Sequence, residues 1–170
     1  MVTKMPTYTA DLSVSSLDQL LSNIKAYQSK VNAASDKITA QLAEIGANAI
    51  QQNIAGITDL DGNAPGTVSV DVRGAEATIS QSGDQVAYLE YGTGEQGAAN
   101  KHPEYKVAGW HYGSGKNIRR MKNGKLMWRY YDKLKGHWRI TNGIPAQKQV
   151  LRAALTMRDN IIPVAKEALK

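Results

Sequence analysis

Cysteine is absent from this 170-residue chain, so disulfides and thiolate metal sites are excluded and the redox compartment stays open. Phenylalanine is absent too: every ring belongs to one of 8 Tyr or 3 Trp and carries a polar handle. Rings with one wet end suit interfaces better than sealed cores. Histidine is scarce. His102, His111 and His137 are the only imidazoles, and their spacing matches no zinc pattern. No metal is expected, and the three read as surface or interface residues. No continuous apolar run approaches the roughly 20 residues of a membrane helix. The stretch Met1–Tyr8 has one Lys and no apolar core behind it. Neither a membrane partner nor a signal peptide is expected.

What the chain does have is one concentrated basic stretch. Lys116, Arg119, Arg120, Lys122, Lys125, Arg129, Lys133, Lys135 and Arg139 are opposed there by Asp132 alone. Residues 116–139 are therefore +8, which leaves −2 for the rest of a chain whose total is +6. The protein is near neutral with one basic segment. Tyr105, Trp110, Tyr112, Trp128, Tyr130, Tyr131 and Trp138 crowd the same central region. Cations and rings together can hold phosphates and stack on bases. They also make protein–protein hot spots, and this is the reading preferred here, because no recognition-helix or zinc-finger pattern is present.

The length suggests one domain, residues 1–170, large enough for a real core. Ser15 to about Asn53 reads as helix: Leu17, Ile24, Val31, Ile38 and Ile45 recur every seven residues, with Leu21, Tyr27, Ala34, Leu42 and Ala49 between them. Ser16 and Gln19 form a candidate capping box, and Ser35-Asp36 is a candidate interruption. The stripe reads as an amphipathic helix lying on its own sheet or on a neighbouring subunit, because charges that would flank a coiled-coil seam are sparse. Gly56–Gly66 reads as loop. Thr67–Arg73 and Ala75–Gln81 alternate and predict an antiparallel hairpin, with Val68, Val70 and Val72 on a half-buried face. Gln85–Tyr91 is strand or short helical turn. Gly94 to about Lys125 carries loop signals. Leu126–Tyr131 and His137–Thr141 read as a second hairpin, joined through Lys133–Gly136. Asn142-Gly143 is a turn, Pro145 a candidate first helical residue, and Val150 to Leu169 the apolar face of a last helix that Pro163 kinks or divides. The class is α+β: an antiparallel sheet packed by a long N-terminal and a C-terminal helix, with residues 97–142 as a loop-and-hairpin arm.

Active-site signals are weak. Gly92-Thr-Gly-Glu-Gln-Gly97 matches G-x-G-x-x-G, but Ala98–Pro103 is a poor helix start, so no dinucleotide or other cofactor is expected. His102-Pro-Glu104 matches half of a zinc-deaminase signature whose cysteine pair cannot exist here. No G-x-S-x-G elbow occurs. Glu90 is the only acid inside an apolar run and is expected to pair with a Lys or Arg, within the subunit or across an interface. A hydrolase would need Glu90 gathered with His102 or His111 in a pocket.

Three features stand in order: an N-terminal helix rich in Ala and Ile, the segment Ala87-Tyr-Leu-Glu-Tyr-Gly-Thr-Gly94, and Asn142-Gly-Ile-Pro-Ala-Gln-Lys-Gln-Val-Leu-Arg-Ala-Ala154 opening the last helix. Together they resemble the tail-component, or tail-completion, proteins of long-tailed bacteriophages. The chain departs from that family where Gln51–Gly56 lacks a Pro after the first helix, and in the length of Gly97–Arg139. The resemblance implies a non-enzymatic virion part, made in the host bacterial cytoplasm and sitting at the head–tail junction. It implies a ring of copies, commonly six, touching neck, tail-terminator or tail-tube proteins around a channel that DNA crosses. Neither catalysis nor a cofactor is implied. The positions that carry over are Glu90, Tyr91, Gly92, Thr93 and Gly94, with Gly143, Pro145 and Ala146 at the helix start. Trp110, Trp128, Tyr130 and Trp138 are the added candidate interface residues. Lys116, Arg119, Arg120, Lys122, Lys125 and Arg129 are candidate contacts to non-specific channel DNA or an acidic partner. On this reading Glu90→Ala and Gly92→Val harm assembly more than folding. A ring contact is heterologous, and the negative body and positive segment offer complementary faces.

Overall fold

A computed structural model describes residues 6–11, 13–55, 57, 66–83, 85–112, 118–132 and 135–170. Most of the loop expected at Gly56–Gly66, the start Met1–Met5, Lys116, and the Lys133-Leu134 half of the hairpin link lie outside the described residues.

The first element, α1 (Val14–Ile54), runs 41 residues without a break, about 60 Å at 1.5 Å per residue. Ser35 and Asp36 do not interrupt it, because the apolar stripe continues through them. Its cap lies upstream of the expected box: Ser13 Oγ accepts from Ser16 N at 3.3 Å, and Asp11 Oδ1 accepts from Ser13 N at 2.8 Å. The last element, α4 (Gln149–Ala168), is likewise one helix with Pro163 inside it, not divided as the sequence allowed. The two helices run antiparallel. Ile50 shares a groove with Val150 and Ala153, and Gln41 and Ile45 share another with Pro163 and Glu167. Small buried residues, Ala43, Gly46 and Ala47, let them close. A Cβ on Gly46 would stand 2.5 Å from Met157 Sδ and 2.6 Å from Ile79 Cδ1.

The expected single sheet is two sheets. β1 (Thr67–Arg73) and β2 (Glu76–Ser82) form a hairpin in register Val70↔Ile79, turned by Gly74-Ala75 with Gly74 at φ +60°. This hairpin lies on α1, but Val70 and Val72 remain 42% and 41% exposed. The valine face expected to be half-buried is thus only partly covered: Val68 is half-buried, and β1 has a single neighbour strand. The second sheet is β3 (Ile118–Arg120), β4 (Leu126–Asp132) and β5 (His137–Thr141), antiparallel in that order. Between the sheets stand two short helices, α2 (Val86–Tyr91) and α3 (Gly94–Ala99). α3 and β3 occupy parts of what sequence signals read as loop. Their brevity hides them from any periodicity count. The molecule is therefore mixed α+β, with α1 packed on α4 and on small antiparallel sheets. No helix among the described residues is long and apolar enough to cross a membrane.

Candidate functional site

The Tyr-Gly-Thr-Gly segment meets the approach to α4 in a tight backbone crossing. Thr93 N donates to Ile144 O at 2.9 Å and Thr93 Oγ1 accepts from Ile144 N at 3.1 Å. Gln96 N donates to Asn142 O at 3.2 Å, and Gln147 N to Leu89 O at 2.7 Å. These bonds hold Asn142–Gln147 out of the helix, which is why α4 starts at Gln149 and not at Pro145. Three glycines take positive φ because the chain needs it there: Gly92 at +75°, Gly94 at +61° and Gly143 at +92°. A Cβ on Gly92 would come 2.6 Å from Ala146 N and 2.9 Å from Gly97 Cα. The G-x-G-x-x-G spacing therefore serves close approach of the protein's own backbone. Asn142 O occupies the start of α3, where a phosphate would otherwise sit.

Glu90 organises this crossing. Its carboxylate is buried at 6% exposure and accepts from Val150 N at 2.8 Å and Leu151 N at 3.1 Å. It is the N-terminal cap that α4 lacks in its own sequence: Lys148 at the cap position has φ +57° and makes no side-chain cap bond. A negative group placed there also meets the positive end of the helix dipole. The expected Lys or Arg partner is absent among the described residues. The partner is His102, with Nε2 3.0 Å from Glu90 Oε1. His102 Nδ1 accepts from Glu104 N at 3.1 Å, so the neutral ring carries its proton on Nε2, facing the carboxylate. That proton is off the line to the oxygen, so Nε2 lies close to the carboxylate without an aligned hydrogen bond. His102 is 2% exposed, which corrects its assignment to the surface. His111 and His137 are exposed.

The rings close the site. Tyr91 lies 4.7 Å from the His102 ring and stacks on Trp110 at 5.4 Å; Trp110 Nε1 donates to Gly92 O at 3.0 Å. Burial, then the nearby charges of Glu90 and Glu104, raise the Tyr91 phenol above its usual pKa. Tyr112 OH accepts from His102 N at 3.0 Å. Tyr88 meets Trp110 at 5.7 Å and Trp128 at 5.5 Å, which docks β4 on α2. Gln149, fully buried, donates from Nε2 to Val86 O at 3.3 Å. Sequence reasoning does not assign Tyr88, Tyr112 or Gln149 to this site, and it brings His102 to Glu90 only as what a hydrolase would require. One signal points toward a hidden partner for α4: a helix start, Gln147-Lys148-Gln149, with no side chain able to cap it.

The candidates thus divide. Glu90, Tyr91, Gly92, Thr93, Gly94, Trp110 and Trp128 come together in one joint. Of the remainder, Arg119, Arg120, Arg129, Tyr130 and Trp138 lie on the second sheet, Lys122 and Lys125 lie in the turn between β3 and β4, and Lys116 is outside the described residues. Alternation and register put Trp128, Tyr130 and Asp132 on one face, and Met127, Arg129 and Tyr131 on the other, opposite Arg119, Trp138 and Ile140. On that outer face Arg129 covers Trp138 at 4.5 Å and Tyr131 meets it edge-on at 5.6 Å. Asp132 is buried and accepts from Lys135 N at 3.0 Å and from Arg139 Nη1 at 3.2 Å. Burial raises its pKa, but the Lys135 amide and the Arg139 guanidinium outweigh this and hold it below the usual carboxylate value. Arg119, Arg120, Lys122 and Lys125 are exposed, and none forms an ion pair among the described residues.

Chemically, the joint binds its own chain. Glu90 and His102 do meet, as a hydrolase would need. Both Glu90 oxygens are engaged and the imidazole is sealed, however, so a substrate would have to displace structural bonds to reach them. Among the described residues no three His, Asp or Glu side chains gather where a metal ion could sit. An open groove of about 360 Å³ lies elsewhere, between α1, β2 and α4, lined by residues such as Leu42, Ile79 and Met157 with no titratable side chain. No protein-family model matches the chain, and no curated protein or solved structure matches it.

Proposed function

We propose that this protein is a non-enzymatic virion part of a tailed bacteriophage, forming an oligomeric ring of about six copies at the head–tail interface, where tail completion joins tail to head. Parts of the motifs carrying that resemblance, Glu90–Gly94 and Asn142–Ala146, are the two segments that meet in the buried joint. One observation supports an assembly role above others: large apolar surface is left uncovered in the monomer. Leu17, Leu21 and Ile24 on α1 are 46%, 51% and 46% exposed, and Trp138 and Ile140 on β5 are 51% and 53%. Soluble monomers rarely leave contiguous patches of this kind open. Neck, tail-terminator or tail-tube proteins are the neighbours on this reading, with no membrane and no cofactor. The test is deletion of the gene from a phage genome that carries it, followed by electron microscopy of the lysate. Filled heads beside free tails are expected; normal tailed particles overturn the reading.

A second reading, a nucleic-acid-binding module using residues 116–139, is favoured by one observation: the exposed cations at Arg119, Arg120, Lys122 and Lys125 have no acidic partner among the described residues. It requires duplex binding that weakens steeply with salt and with neutralisation of Arg119, Arg120 and Arg129. Absence of binding at about 50 mM salt removes it.

A further inference from the structure

Leu17, Ile24, Val31, Ile38 and Ile45 keep a spacing of seven along α1. Over Ile38 and Ile45 the flank of α1 is closed by α4, with Glu167 and Pro163 beside Gln41 and Ile45. From Val14 to Ala33 nothing among the described residues covers the stripe. Tyr27 and Val31 are 39% and 40% exposed, with Leu17, Leu21 and Ile24 more open still.

We propose that this uncovered half of α1 is a self-association seam that packs against the same half of α1 in a second copy of this chain. Three observations identify the occupant. The first is the period. A straight helix drifts about 20° per heptad, so a strict repeat of seven stays on one line only against another helix that coils with it. A sheet or a lipid surface places no such demand. The second is charge. Between Val14 and Ala33 only Asp18, Lys25 and Lys30 are charged, all off the stripe, among Ser, Asn and Gln. Sparse flanking charge weighs against a coiled-coil seam only where the stripe can lie on the protein's own sheet; this half is left uncovered. A surface so poor in charge offers nothing to a polyanion or a strongly acidic partner, and it meets its own copy without like-charge conflict. The third is extent. About twenty residues of helix give a seam about 30 Å long, covering on the order of 1,000 Å² in total, the threshold for a specific interface. The proposal does not depend on the phage reading.

The absence of cysteine makes the test clean. Ile24→Cys places the sole thiol on the stripe, and Ser22→Cys places it on the opposite side of the same turns. A disulfide needs Cβ atoms about 4 Å apart, so under mild oxidation Ile24→Cys is expected to form covalent dimer at least about 10-fold faster than Ser22→Cys. Light scattering should show the unmodified protein as an oligomer and Leu17→Lys/Ile24→Lys as a monomer of unchanged helix content. Equal cross-linking rates overturn the proposal, even if the double-lysine variant fails to fold. So does an unmodified protein that stays monomeric at about 100 µM, a concentration that populates even weak complexes, or an oligomer that survives the double substitution.

Discussion

The joint around Glu90 and the outer face of the second sheet use the same residue types to opposite ends. Both pair rings with polar or charged groups. In the joint, Trp110 gives its N–H to Gly92 O, Tyr91 seals His102, and Glu90 commits both oxygens to α4. On the sheet, Trp138 is half exposed and Arg129 rests on its face. The joint turns most of its polar groups inward, leaving His102 Nε2 and Gln149 Oε1 without an aligned partner, and is a device for folding. The sheet face does not, and is a surface for meeting something else. The difference shows that ring content alone does not mark an interface; the destination of each polar handle does.

The comparison is broken most severely at Gly143. Its Cβ would fall on the Thr93 carbonyl, and its φ of +92° suits only glycine. Gly143→Val should cost more than about 4 kcal/mol and yield insoluble protein, read by expression and circular dichroism. Gly92→Val should act alike, so the expectation that it spares folding is revised. Glu90→Ala follows. Removing a buried charge that caps a helix and faces His102 should cost about 3 kcal/mol in urea unfolding, with Glu90→Gln losing less because its oxygen still accepts one amide.

These positions show how far the sequence could be read. The long stripes of α1 and α4 were legible because a helical period repeated many times outweighs local noise. Glu90 stood out as a lone acid in an apolar run. Its partner did not, because His102 reaches it through a turn between Lys101 and Trp110 that has no period to detect. The start of α4 was misplaced because Pro145 looks like a first helical residue, whereas pairing of Thr93 with Ile144 holds that stretch out of the helix. The division into two sheets was also invisible: strand patterns give faces, not neighbours.

A matched pair of tryptophan substitutions sharpens the contrast. Trp110→Ala should lower stability by about 3 kcal/mol in urea unfolding, while Trp138→Ala should change it by less than about 0.5 kcal/mol. The smallest effect is at Asp132. Its folded pKa lies below the unfolded value, so its contribution is present above that value, about 3.9, and is lost as pH falls through the folded pKa. Asp132→Asn should therefore lower stability modestly at neutral pH, converge with the unmodified protein in acid, and so flatten the fall between neutral pH and about pH 3, as thermal melts across pH would read.

The crossing at Gln96 and Asn142 also sets the terms on which this chain can vary. The polypeptide leaves the body and returns to it at neighbouring points, joined by one hydrogen bond of 3.2 Å. A segment whose ends already meet loses little stability with extra length, since closure cost rises only with the logarithm of residue number. On these terms the second sheet, β3 to β5, is an insert that the scaffold can exchange, docked through Trp128 on Tyr88. A lineage can lengthen it, trim it or graft another in its place while the scaffold that carries it stays the same.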